Sequence, residues 1–181
     1  GVLVKDLNDI YNSLLNGKEV PLEKLEYQQF DYAQWEGGID YLKEKKDSVD
    51  FWKENLKGCS SMLNFPYDFP RPEKPSGKGS SVSLSFTRAL SEKIRQISEN
   101  ENASLFTTLL SVFGVQMSKY SGEEDLNIGL PVAFRPHSKL ENIFGMFVNT
   151  VVVRLLFDKD MTFRKIVRNT NDAALNSIAH Q

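Results

Sequence analysis

The chain has 181 residues, of which 40% are hydrophobic, and its formal net charge is −2. This length predicts one domain with a real core. The near balance of 22 basic and 24 acidic residues predicts neither nucleic-acid nor membrane-surface binding, and no apolar run is long enough to span a bilayer. Cys59, the single cysteine, excludes internal disulfides and cysteine-rich zinc sites, and we expect a reduced loop thiol in a cytoplasmic protein.

The first third of the chain predicts three helices. The first spans about residues 3–15 and ends at Asn16-Gly17, a typical helix stop. The second spans about residues 27–35. The third spans about residues 41–56 and is heavily charged. Its apolar stripe, which predicts one buried face, consists of Leu42, Val49, Trp52 and Leu56.

The middle of the chain predicts an extended connector followed by a strand. Prolines at positions 66, 70, 72 and 75 disfavour helix and sheet, while three interleaved aromatic residues are expected to pack down. Those aromatic residues are Phe65, Tyr67 and Phe69. Strict polar–apolar alternation over residues 81–86 predicts a half-buried strand.

The second half predicts two helices, two strands and a final helix. The first helix covers about residues 91–100 with Ser91 as its cap, and the second covers about 104–120 and is apolar enough to be buried on most sides. Two apolar strand segments, residues 127–135 and 144–155, flank a polar loop. A last helix starts near Thr162. Together these elements predict a layered α/β domain.

The sequence offers few groups for catalysis. His137 lies in a polar loop and His180 is the penultimate residue, so neither is expected to be catalytic. There is no histidine–cysteine cluster for a metal, no phosphate-binding glycine motif and no nucleophile elbow. From these residues alone, only a soluble α/β domain is predicted.

Several segments, in order along the chain, resemble motifs of one family. The aromatic–acidic motif at 27–35, the proline-rich connector at 65–72 and the helix with its exit at 105–125 are three of them. The others are Ile128 to Arg135, Phe144 to Thr150, and His180-Gln181. This set resembles the condensation domain of nonribosomal peptide synthetases, which shares its fold with chloramphenicol acetyltransferase.

The resemblance implies an incomplete, chloramphenicol acetyltransferase-like α/β sandwich. Residues 1–38 would form the end of the first lobe and the inter-lobe crossing, and residues 39–181 part of the second lobe. The family's catalytic signature, His-His-x-x-x-Asp-Gly, would lie upstream of Gly1, so no catalytic residue is expected in this chain. A fragment cut from a larger protein is expected to be poorly soluble or to associate.

The resemblance also assigns candidate site residues. A substrate tunnel for phosphopantetheine arms would be lined by Asn149, Arg135, Gly129, Pro131, Gly145 and Phe147. The glycines are expected to allow a bulge or a close approach of backbone. Arg135 could equally support its loop through an ion pair. Asp31, Tyr32 and Trp35 are expected to lock the inter-lobe junction, with Trp35 as plain core.

The implied function is amide formation between a donor acyl or peptidyl thioester and the amine of an acceptor aminoacyl thioester. Both substrates would be tethered to carrier proteins, with no cofactor bound directly and an adenylation domain as neighbour. Two alternatives remain open: a non-catalytic module that docks carrier proteins, and a stand-alone acyltransferase of the same fold. The fragment alone is expected to be inactive.

Overall fold

The computed structural model describes residues 1–22, 24–70 and 72–181. Arg71, which falls in the predicted connector, and the side chain of Leu42 lie outside the described residues. The helices are α1 (Val2–Leu15), α2 (Gln29–Glu36), α3 (Ile39–Glu44), α4 (Lys46–Asn55), α5 (Arg88–Asn100), α6 (Leu105–Ser121) and α7 (Phe163–Ala179). The strands are β1 (Asp125–Ala133) and β2 (Val148–Leu156), and a 3-10 turn covers Ser138–Leu140.

The predicted third helix is two helices that meet at Lys45. This residue has φ −87° and ψ 5°, outside helical geometry, so α3 ends there and α4 begins at the next residue. The Lys45 ammonium donates to the main-chain oxygen of Gln181 at 2.6 Å. It also lies 5.0 Å from the ring centroid of Phe134. The break therefore coincides with a residue held by distant parts of the chain.

Side-chain caps set the starts of the later helices. Ser104 accepts a hydrogen bond from the backbone of Thr107 at 3.0 Å, and Thr162 starts α7 in the same way. The predicted cap of α5 was wrong. Thr87 is the cap, and Ser91 lies inside the helix, where its hydroxyl donates to the Thr87 carbonyl at 3.1 Å.

The strand predicted at residues 81–86 is absent from the structure, which leaves this segment irregular. Val82 and Leu84 are 96% and 79% exposed. Alternation makes a strand only where a neighbouring strand supplies hydrogen bonds, and no partner strand lies beside this segment in the described ranges. The connector prediction is also partly wrong: Phe65 contacts the ring of Tyr120, whereas Phe69 is exposed.

The two strands form an antiparallel hairpin. The Phe134 N–H donates to the Phe147 carbonyl at 2.8 Å at one end of the pair. The Phe157 N–H donates to the Glu124 carbonyl at 2.7 Å at the other. Because the register is constant between these two bonds, Pro131 lies opposite Thr150.

The chain forms two compact units. One contains Lys53–Leu130 and Val151–His180. Its core brings together one residue of α6, residues of both strands and one of α7, namely Leu110, Leu126, Val153, Leu155 and Ala174. Helix α6 buries one face only, because its outer apolar side chains remain exposed. The prediction that it would be buried on most sides was therefore wrong.

The other unit contains Gly1–Trp52, Pro131–Thr150 and Gln181. Its core consists of Leu140, Ile143 and Phe147, with Leu25 and Tyr32 packed against them. This core is small, and α1 has no buried residue. None of the helices in the described part of the chain combines the length and the apolar character that a membrane crossing requires.

Gly114 on α6 provides a test of the packing in the larger unit. A Cβ atom there would lie 2.5 Å from Cδ1 of Leu155 and 3.1 Å from Cζ of Phe157. Leu155 is buried and cannot swing away freely. We expect Gly114→Ala to destabilise the chain by about 1–2 kcal/mol, because overpacking outweighs the gain in helix propensity.

Urea unfolding of the variant and of Gly79→Ala would measure this effect. Gly79 lies in an irregular segment, and a Cβ there would meet no atom within 4 Å. Equal stability of the two variants would contradict the close approach of α6 to β2.

Candidate functional site

Arg135 follows β1 and holds the loop between the two strands. Its Nη1 donates to the carbonyl oxygens of Leu140 and Ile143, the second at 3.1 Å. The guanidinium carbon lies 4.2 Å from the ring centroid of Phe147. Within the described residues its partners are therefore carbonyl oxygens and an aromatic ring, not the carboxylate expected from the sequence. A guanidinium has five N–H donors, so this arrangement leaves capacity for a further acceptor.

Asn149 lies near the start of β2 and is half-buried. Its Oδ1 accepts a hydrogen bond from the backbone N–H of Thr150 at 2.8 Å. Because only the carbonyl side of the amide can accept this bond, the contact fixes which end of the side chain is Nδ2. The two N–H donors of Nδ2 are then free of this local bond.

The predicted tunnel residues do not all share one face of the hairpin. Alternation places Asn149 on the face that carries the buried residues Val151 and Val153. Pro131 lies on the other face, because its partner Thr150 directly follows Asn149. Gly129 shares this second face with Pro131, and both residues are exposed. Gly129 also lines a cavity of about 260 Å³ with Asn127, Phe113 and Met117.

Gly145 is approached closely by a side chain, whereas a bulge or a close approach of backbone was expected. A Cβ at Gly145 would lie 2.6 Å from Oε1 of Gln29, the first residue of α2. Gln29 Nε2 lies 3.5 Å from the carbonyl oxygen of Met146. Glycine at this position therefore lets α2 rest on the strand-connecting loop immediately before Phe147.

Helix α2 supplies the aromatic support for this loop. Asp31 accepts from the backbone N–H of Gln28 at 2.8 Å and so stabilises the start of the helix. The Tyr32 ring lies 5.3 Å from that of Phe147. Burial, assisted by the neighbouring Glu36 carboxylate, raises the pKa of the Tyr32 hydroxyl. Trp35 was wrongly expected to be plain core: it is partly exposed and lies 5.6 Å from the His137 ring.

A groove of about 490 Å³ runs beside this aromatic support. Lys139 forms its charged edge, with Nζ 2.9 Å from Glu26 and 5.0 Å from the centroid of the Tyr27 ring. The hydrogen bond from Lys139, followed by that from Tyr27, lowers the pKa of the Glu26 carboxyl. His137 is exposed at the groove. The groove is lined by Tyr27, Asp31, Tyr32, Trp35, Glu44, His137, Lys139 and Leu140.

An ion pair that was not predicted from the sequence braces the hairpin in the larger unit. Arg154 donates to both oxygens of Asp125, at 2.9 and 2.6 Å. It also donates to the carbonyl oxygens of Asn55 at 2.6 Å and Lys57 at 3.1 Å. The side chains of Arg154 and Asp125 are 18% and 32% exposed. Pairing the two strands in antiparallel register would have brought these opposite charges close together.

Each of the two histidines contacts another group of the chain. The Nδ1 atom of His180 lies 2.8 Å from the carbonyl oxygen of Asn176 at the end of α7. His137 packs edge-on against Trp35, at an interplanar angle of 72°. Among the described residues, no group of three or more histidine, cysteine or acidic side chains could hold a metal ion.

Comparison with known proteins identifies the family of this chain. The family model described as "Condensation domain" matches residues 1–181. Bacitracin synthase 3 of Bacillus licheniformis is 33% identical over 100% of this chain, which spans 3% of that protein. Malpinin synthetase of Mortierella alpina is 30% identical over 100% of this chain, which spans 2% of that protein.

Two solved structures also match. A four-domain nonribosomal peptide synthetase bound to AMP and glycine is 32% identical, with a TM-score of 0.74 over 82% of this chain and 11% of that one. The X-domain from teicoplanin biosynthesis has a TM-score of 0.88 at 24% identity, over 99% of this chain and 41% of that one, which shows a shared fold. The α/β fold implied by the sequence resemblance is thus confirmed, and the chain belongs to the condensation-domain family.

Proposed function

We propose that the synthetase containing this chain joins two carrier-bound units through an amide bond. The amine nitrogen of the acceptor aminoacyl thioester attacks the carbonyl carbon of the donor acyl or peptidyl thioester. The carbon–sulfur bond then breaks, the carrier thiol is released and the attacking nitrogen loses a proton. The observation that carries this proposal is the match of the condensation-domain model to the whole of residues 1–181.

Asn149 is the residue of this chain that is best suited to contact the reacting groups. Its Oδ1 is engaged by the Thr150 N–H, so Nδ2 presents its donors in a fixed direction. A donor fixed in this way stabilises a carbonyl oxygen as negative charge develops on it. We propose that Nδ2 binds a carbonyl oxygen of a thioester or of a pantetheine amide.

Arg135, Phe147 and Gly145 are proposed to shape the passage for the tethered substrates. Arg135 holds the loop through the Ile143 carbonyl and lies over the Phe147 ring. Gly145 admits Gln29 of α2 to the same loop. Pro131 and Gly129 lie on the opposite face of the hairpin from Asn149. They are therefore proposed to contact a different part of a phosphopantetheine arm.

We propose that groups outside residues 1–181 carry out the remaining parts of the reaction. The proton of the attacking amine is proposed to be handled or oriented by the family's His-His-x-x-x-Asp-Gly motif, which the 181-residue sequence does not contain. Peptidyl and aminoacyl carrier proteins are proposed to deliver both substrates. An adenylation domain is proposed as the neighbouring domain that selects the acceptor.

A carrier-docking module without catalysis is the second candidate. The aromatic groove beside α2 favours it, since Trp35 and Tyr32 line an exposed depression with charged edges. Exposed aromatic side chains with a polar rim are typical of binding surfaces. The two candidate functions can be distinguished in the synthetase, because only the first predicts that a substitution in the hairpin slows amide formation.

The isolated chain provides the first test. Residues 1–181 alone are expected to form no amide, because His180 is engaged at the end of α7 and His137 packs on Trp35. Two loaded carrier proteins would be incubated with the isolated chain and, in parallel, with the synthetase that contains it. Product release would be followed by mass spectrometry. Turnover by the isolated chain would show that the proton-handling group lies within these residues.

Asn149 provides the second test, in the intact synthetase. Asn149→Ala is expected to slow amide formation by about 10–100-fold, because a fixed donor is lost. The cost in stability should stay below about 1 kcal/mol, because Thr150 is exposed and water can replace Oδ1. Single-turnover rates and melting temperatures would be measured on the same preparations.

Two further variants sharpen this test. Asn149→Asp keeps an oxygen for the Thr150 N–H but removes the Nδ2 donors, so it should be as slow as the alanine variant. Asn100→Ala removes an exposed asparagine from the end of α5, a helix with no proposed part in the reaction, and should leave the rate unchanged. If Asn149→Asp retained the full rate, the proposed donor role would be wrong.

A further inference from the structure

The outer edge of β2 directs backbone groups away from β1. The Phe157 N–H donates to the Glu124 carbonyl, so the polar backbone groups of Phe157 face β1. In an antiparallel pair the next residue turns its N–H and C=O groups the other way, and this alternation continues along the strand. Val152, Arg154 and Leu156 therefore direct their N–H and C=O groups outward, where a further strand could pair with them.

Little of this edge is used within the fold. In the parts of the chain that the structure describes, the sheet consists of β1 and β2, and no third strand pairs with β2. The Val152 carbonyl accepts a hydrogen bond from the Ser177 hydroxyl at 2.8 Å, which leaves its second lone pair. A strand edge of this kind is a template for pairing with another extended segment.

A groove of about 340 Å³ lies beside this edge in the larger unit. Residues 154–157 of β2 form one wall. On α7 the lining residues include Ile166, Thr170 and Ala173, which are three or four residues apart and so share one face of the helix. A strand edge beside a helix face can bind an extended segment, because the edge supplies backbone hydrogen bonds and the groove receives alternate side chains.

The groove favours uncharged side chains. Its charged lining residues are Arg154 and Asp172. Arg154 is already paired with Asp125, and Asp172 is exposed. Apolar surface comes from Ile166, which is half-buried, and from Leu156, which is 56% exposed. The groove therefore fits a strand whose inward side chains are apolar.

The size of the sheet indicates where such a strand comes from. Two strands alone are marginally stable, and three or more are usual in a sheet that supports a core. The X-domain from teicoplanin biosynthesis shares the fold, and 99% of this chain matches 41% of that one. A domain of this fold therefore contains more polypeptide than the part that this chain matches.

We propose that the edge of β2 from Val152 to Leu156 pairs with an additional strand from polypeptide outside residues 1–181 of the same synthetase. The added strand bonds to the backbone of Arg154 and Leu156, and its alternate apolar side chains enter the groove beside α7. The outer edge of β1 is less suited to this pairing, because Pro131 has no N–H to donate. The pairing is independent of the residues proposed for amide formation.

The test is amide hydrogen exchange in the intact synthetase, resolved to single residues by mass spectrometry. The N–H groups of Arg154 and Leu156 are expected to exchange about 100-fold or more slowly than in an unstructured peptide, because the added strand accepts from them. Those of Val153 and Leu155 face β1, so their protection reports that the hairpin is folded. With that protection present, exchange of Arg154 and Leu156 within about tenfold of the unstructured rate would overturn the proposal.

A proline variant tests the pairing directly. Leu156→Pro removes an outward N–H and places a ring where the added strand would lie. Exchange of the Arg154 N–H should then become about tenfold faster or more, while Val153 stays protected. Leu156→Ala is the matched control, since it keeps the N–H and should retain slow exchange at Arg154. Unchanged exchange at Arg154 in the folded proline variant would count against an added strand.

The source of the strand needs a separate test, because residues 81–86 of the same chain or of a second copy are another candidate. Val82 and Leu84 alternate with serines and are exposed. Replacing both with serine should leave the protection of Arg154 and Leu156 unchanged. Loss of that protection, with Val153 still protected, would identify residues 81–86 as the occupant. Protection that falls on dilution from about 10 μM to about 0.1 μM would identify a second molecule. Either result would overturn the proposed source.

Discussion

The contact of Arg135 with the loop between the strands is the interaction on which the candidate site depends. The loop leaves β1 at Phe134 and returns at Phe147, and its core is small. One guanidinium donates to the carbonyls of Leu140 and Ile143 and covers the Phe147 ring. Carbonyl groups of an irregular loop need donors when they are partly buried. Without this cation the loop would lose the donors that fix its path, and with them the support that α2 receives through Tyr32.

The sequence was a good guide wherever one local rule decides the structure. Ser104 and Thr162 cap their helices because a hydroxyl satisfies a free N–H at that point. It was a poor guide where a distant partner decides. Alternation at residues 81–86 describes a strand only if another strand lies alongside. Trp35 was expected in the core from its type alone, but its neighbours are partly exposed aromatic rings.

In the candidate site too, local sequence predicts which residues lie in strands, whereas strand pairing decides which face each residue occupies. The resemblance assigned Asn149 and Gly129 to one substrate tunnel, but it could not indicate that they lie on opposite faces of the hairpin. That result depends on the register between β1 and β2, which two backbone bonds at the ends of the pair determine. The proposed passage would therefore use the two faces of the hairpin for different parts of a substrate. Residues on the second face need not affect the same step as Asn149.

Two ion-pair contacts in the larger unit differ in which partner is buried. Arg154 is the more buried member of its pair, and it donates to Asp125 and to two backbone carbonyls. Its donor capacity is largely consumed inside the fold. At Glu101 the carboxylate is buried and the two arginines that pair with it are largely exposed, so the buried charge is compensated from the surface of α7. Removal of Arg154 should therefore weaken the fold, because it would leave the partly buried Asp125 carboxylate without its cation.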